Sequence, residues 1–80
     1  MKEKSCGFTF DWAEGFRIRT KLFDNAFIIE ANEQGLISLA NHLTKLASPN
    51  TVNQYHLHLD DSNSLEDGSV ELIIERNEGL

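Results

Sequence analysis

Eighty residues, 40% of them hydrophobic and 25% charged, form one globular domain and exclude a disordered chain. The net charge of -6 argues against nucleic acid or an anionic membrane surface as a partner. Cys6 is alone, so no internal disulfide can form, and the apolar runs are too short for a secretion signal or a bilayer span. A cytoplasmic location is therefore expected.

The first predicted element is a strand over 8–12, where Phe8, Phe10 and Trp12 alternate with Thr9 and Asp11. Ala13-Glu14-Gly15 follows as a three-residue connection, with Gly15 free to take the left-handed conformation. Alternation resumes over 16–23, with Phe16, Ile18, Thr20 and Leu22 set against Arg17, Arg19 and Lys21. That turn would place Trp12 opposite Phe16, Phe10 opposite Ile18 and Asp11 opposite Arg17, matching apolar to apolar and acid to base. Asp24-Asn25 reads as a two-residue turn into a third strand over 26–31. It sets Leu22 opposite Phe27, Thr20 opposite Ile29 and Arg19 opposite Glu30.

Asn32 is a helix N-cap, with Glu33 in the first turn where a negative charge suits the helix dipole. Leu36, Leu39, Ala40, Leu43, Leu46 and Ala47 then recur at helical spacing, predicting a helix over about 33–47 with one apolar stripe. Gly35 lies inside it at a cost of about 1 kcal/mol relative to alanine, which close approach to the sheet would explain. Ser48-Pro49-Asn50 ends the helix. Tyr55, Leu57 and Leu59 alternate with His56 and His58 in a fourth strand over 53–59. The polar stretch Asp60–Gly68, with Leu65 its one apolar residue, reads as a hairpin loop. Val70, Leu72 and Ile74 mark a fifth strand over 70–75, and Arg76–Gly79 reads as a fraying tail.

These elements predict a single α+β domain over 1–80, ordered from about 7 to 76. A five-stranded antiparallel sheet in the order 1-2-3-5-4 would carry the one helix across one face. That order makes every neighbouring pair antiparallel.

His56 and His58 share a strand face with Asp60 beyond them, a spacing able to ligate zinc or a related metal. The competing and favoured reading makes them solvent-side strand residues, with no metal or other cofactor. The acidic loop lacks the central glycine and the closing glutamate of a calcium loop of the helix-loop-helix kind. No nucleophile elbow and no phosphate-cradling glycine loop occurs, so the chain does not read as an enzyme. What remains is the face away from the helix. It carries Arg17, Arg19, Lys21, Ile28 and Glu30 toward one edge, and His56, His58, Glu71, Ile73 and Glu75 toward the other. A few apolar residues within a charged rim describe a protein–protein contact.

Three segments carry a family likeness: Ala31-Asn32-Glu33-Gln34-Gly35-Leu36 running on to Leu43, His56-Leu57-His58-Leu59-Asp60, and Leu65-Glu66-Asp67-Gly68-Ser69 running on to Glu75. Over about residues 26–76 the chain resembles the type 32 immunity proteins of bacterial polymorphic toxin systems. The resemblance implies an α+β protein that binds and neutralises a cognate toxin domain in the cytoplasm by occlusion, without catalysis. The positions expected to meet that partner are His56, His58, Asp60, Glu66, Asp67, Glu71, Ile73 and Glu75, with Ile28 and Glu30. Their acidity would steer a basic toxin into contact. Two other readings remain open: an adaptor that forms a homodimer through the open face or an edge strand, and a metal-binding protein using His56, His58 and Asp60.

Overall fold

A computed structural model describes residues 10–80, and the hairpin of β1 (Ile18–Phe23) and β2 (Ala26–Ala31) follows the sequence reading closely. Asp24 and Asn25 both take positive φ, 50° and 68°, as a two-residue hairpin turn requires. The register sets Arg19 against Glu30, Thr20 against Ile29 and Leu22 against Phe27, as the alternation predicts. Asn32 then caps α1 (Glu33–Leu46), its side chain accepting the Gly35 N–H at 2.8 Å. The same oxygen accepts the Arg17 N–H at 3.0 Å, so one side chain fixes both the helix start and the entry to β1.

The five-stranded sheet does not form, although the α+β class holds. Among the described residues there are two separate two-stranded antiparallel sheets, β1-β2 and the pair of β3 (His56–Leu59) and β4 (Leu72–Glu75). Two physical reasons account for the difference. The first lies in the described part of the expected first strand, where the N–H groups of Asp11 and Ala13 bond to helix side chains instead of to a neighbouring strand; Phe8 and Thr9 lie outside the described residues. The Asp11 N–H donates to His42 Nε2 at 2.8 Å and the Ala13 N–H to Ser38 Oγ at 2.8 Å. Two helix side chains one turn apart thus take the place of a ladder. The turn itself still brings the Trp12 and Phe16 rings together, stacked at 4.6 Å.

The second reason lies between the sheets. The order 1-2-3-5-4 placed the last strand beside 26–31, but its lead-in docks on the other edge of the hairpin, along β1. The Glu66 N–H donates to the Ile18 carbonyl at 2.8 Å and the Val70 N–H to the Thr20 carbonyl at 3.1 Å. These two bonds run in the same chain sense. A tight turn through Gly68 (φ 81°) separates them, and side chains occupy the positions a ladder would use. The Thr20 N–H donates to Ser69 Oγ at 3.2 Å, and the Thr20 hydroxyl donates to the Val70 carbonyl. Regular pairing starts only at Leu72, where β4 meets β3 with His56 against Glu75 and His58 against Ile73.

The core gathers Ile18, Leu59, Leu65 and Leu72, with Trp12, Phe16, Ala31, Leu39 and Ile74 packed against it. Leu65, read as an apolar residue in a polar loop, is therefore a core residue. The helix is also turned from its expected setting. It buries Gly35, Ser38, His42 and Leu46, whereas Leu36 and Leu43 of the apolar stripe are exposed. A Cβ built on Gly35 would lie 2.5 Å from the Arg17 carbonyl oxygen and 3.0 Å from Ile18 Cγ1, so glycine permits the close approach expected for it. Arg76–Gly79 is not a fraying tail. Arg76 donates through Nη1 to the carbonyls of Ser48 (2.6 Å) and Thr51 (2.8 Å), just past the helix end, and pairs in backbone with Tyr55 at 3.0 Å.

Candidate functional site

Alternation along β3 and β4 divides their side chains cleanly. Leu57, Leu59 and Leu72 turn into the core, so His56, His58, Glu71, Ile73 and Glu75 are left on the outer face. Ile73 is 53% exposed, directly across from His58 and diagonal to His56. His58 contacts Glu71 through its Nε2, and the same nitrogen lies 3.6 Å from Asp60 Oδ2. The donor atoms of these three residues all fall within 4.8 Å of one another. His56 takes no part in that cluster; it faces Glu75 across the ladder.

Asp60 is held in place by the chain that follows it. Its Oδ1 accepts the Ser62 hydroxyl at 2.8 Å and the Ser62 N–H at 3.0 Å, which leaves Oδ2 to face the imidazole. These bonds, the hydroxyl first, hold its carboxyl below the usual carboxylate range. Asn63 braces the turn by accepting the Asp60 N–H at 3.0 Å and donating to the His58 carbonyl at 3.1 Å. The stretch read as a solvated loop is thus a hydrogen-bonded turn anchored by buried Leu65.

The remaining expected contact residues lie elsewhere, beside the hairpin. Glu66 pairs with Arg17 at 3.0 Å, and Asp67 shares a shallow recess with Arg19, Leu65 and Glu66. Glu30 sits between Arg19 (3.5 Å) and Lys21 (3.6 Å), and Ile28 is half-buried opposite Lys21. The ten expected positions therefore form two groups. His56, His58, Asp60, Glu71, Ile73 and Glu75 share the β3–β4 face, while Ile28, Glu30, Glu66 and Asp67 border β1. Arg19 and Lys21 of β1 pair with Glu30, and Arg17 just before it pairs with Glu66, while Glu71 and Glu75 stand on the β3–β4 face.

Two features escaped the sequence reading. His42 is buried edge-on against the rings of Phe10 and Trp12, at 5.2 and 4.3 Å, at a helix position outside the predicted apolar stripe. Its Nε2 accepts a backbone N–H, so the ring is neutral; burial first and Lys45 second lower its pKa, against a smaller opposing pull from Asp11. Ser38 and His42 stand four residues apart on one helix face, a signal that was available. The other feature is the hairpin end, where Leu22, Phe23 and Phe27 remain exposed although alternation placed Leu22 and Phe27 inward.

Among the described residues no helix is long and apolar enough to cross a membrane. No curated protein and no solved structure matches the chain. A family model described as immunity protein 32 matches residues 27–77, more than half of the sequence, and the chain belongs to that family.

Proposed function

We propose, from that membership, that the chain binds the toxin domain it protects against in the cytoplasm and blocks it by covering its surface, with no chemistry of its own. The face that serves is the outer face of β3–β4. One observation carries this reading: exposed Ile73 lies among His56, His58, Asp60, Glu71 and Glu75, with the nearest hairpin bases already matched by Glu30 and Glu66. An apolar centre with a polar rim suits a protein partner. The acids of this face would speed encounter with a basic one and make association sensitive to salt.

The test is co-expression with the toxin domain encoded beside this gene. The unaltered chain should restore growth, and Ile73→Arg combined with Glu71→Lys should not. Glu30→Ala, on the hairpin, should still protect. Protection retained by the double variant, or killing that the unaltered chain fails to stop, sinks the reading.

Self-association is the second reading, and the hairpin end favours it. Leu22 (66% exposed) on β1 lies across from Phe27 (45% exposed) on β2, an exposed apolar pair on one face of the hairpin end, with Phe23 exposed on the other. Sedimentation of the chain against a Phe27→Arg variant decides: a dimer that the variant dissolves supports it, and a monomer at all concentrations ends it.

A further inference from the structure

We propose that His58, Asp60 and Glu71 form a binding site for one divalent first-row metal ion of the zinc class. Three donors of suitable chemistry, one imidazole nitrogen and two carboxylate oxygens, converge from β3, from the turn after it and from the approach to β4. A zinc ion with bonds of about 2.0–2.2 Å sets its donors roughly 3.3–3.6 Å apart. His58 Nε2 and Asp60 Oδ2 already stand 3.6 Å apart. Glu71, which touches the ring nitrogen directly, has to swing outward from an exposed position to complete the set.

Counting donors shows what a cation would add to the cluster. Both carboxylates face one nitrogen, and that nitrogen carries at most one N–H. Only one of the two carboxylate oxygens facing that nitrogen can therefore take its N–H. A metal ion between the three serves all of them at once. Asp60 is prepared for that role, because Ser62 occupies its Oδ1 and leaves Oδ2 toward the imidazole. The mixed nitrogen–oxygen set suits zinc, cobalt, nickel or manganese, whereas calcium takes 6–8 oxygen ligands. With three protein ligands on an exposed face, the outward coordination position stays open to water or to a partner's side chain.

The site differs from the one spacing alone suggests. His56 follows the same alternation as His58 but faces Glu75, outside the cluster, and Glu71 takes its place. That substitution of ligands makes the test sharp.

Titrating zinc chloride into the isolated full chain, with imidazole signals followed by NMR and affinity by calorimetry, tests the site independently of any toxin. At one equivalent the His58 ring signals should shift while those of His42 and His56 stay in place. His58→Ala and Glu71→Gln should each weaken binding at least ~10-fold, and His56→Ala should leave it unchanged. Dispersed amide spectra in each variant confirm that these surface changes leave the fold intact. No shift at His58, an equal loss in His56→Ala, or binding retained in Glu71→Gln overturns the proposal.

Discussion

The two strand pairs are built on the same alternation and end in opposite situations. In β1–β2 the charges are matched across the ladder, Glu30 with Arg19 and Lys21, while Leu22 and Phe27 of the inward face reach past the core into solvent. In β3–β4 the leucines are buried to within a few per cent, and the outer face carries the imidazoles and acids. Pairing is a local property, set by turn chemistry and cross-strand contacts over a few residues. Coverage is a long-range property, set by what docks on each face. A period-2 pattern reports the first and is silent on the second.

The largest test of that contrast uses one residue type in both pairs. Leu59→Ala, in the buried β3 position, should cost about 2–5 kcal/mol. Leu22→Ala, in the β1 position that the pattern also marks as inward, should stay within about 0.5 kcal/mol. Chemical denaturation of both variants measures the difference. Similar losses would mean that the hairpin end is covered after all.

This contrast also explains how much the sequence disclosed. The register of β1 and β2, the Asn32 cap, the Asp24-Asn25 turn and the exposed outer face of β3–β4 all follow from neighbours in sequence or across a tight turn. The sheet order did not, because the lead-in to β4 bonds to β1 through Ser69, Thr20 and a Gly68 turn that no alternation encodes. The expected contact residues split for the same reason: Glu66 and Asp67 follow Leu65 onto the β1 edge, away from Glu71. His58 and Asp60 were visible as a pair, but Glu71 joins them only once the β3–β4 register is known.

A second, smaller effect tests how the helix is seated. Gly35→Ala gains helix propensity of about 1 kcal/mol, yet its Cβ meets the Arg17 carbonyl oxygen, a backbone atom at the entry to β1. Overpacking of this kind costs about 1–3 kcal/mol. Because backbone cannot rotate aside as a side chain does, the variant should be net less stable by thermal melting. A more stable variant would show that α1 can lift off the hairpin.

The third effect is a slope with pH. Burial holds the His42 pKa below its ordinary value of 6.5, so the folded chain binds the proton less well than the unfolded chain. Stability is then complete above about 6.5 and is lost as pH falls from there through the lowered folded value. Protonation also removes the acceptor for the Asp11 N–H. Unfolding free energy measured from neutral to mildly acidic pH should decline in the unaltered chain, and the decline should flatten in His42→Gln, which does not titrate. An unchanged slope would place its source at a group other than His42.

The smallest effect returns to the matched charges of the hairpin. Glu30 bridges Arg19 and Lys21 at 3.5 and 3.6 Å, and all three side chains are about half exposed. Exposed pairs of this kind contribute about 0–1 kcal/mol, because water screens them and ordering long side chains opposes the attraction. Glu30→Ala should therefore lower stability by less than about 1 kcal/mol, and the difference should shrink as salt is raised. Its larger consequence is electrostatic: the variant leaves Arg19 and Lys21 without their shared acid, so the hairpin becomes positive beside a still-negative β3–β4 face. If that contrast in charge guides encounter, association with a basic toxin domain should slow in Glu30→Ala without a matching change in dissociation. A change confined to dissociation would instead place Glu30 inside the contact itself, and the interface would then extend across both strand pairs.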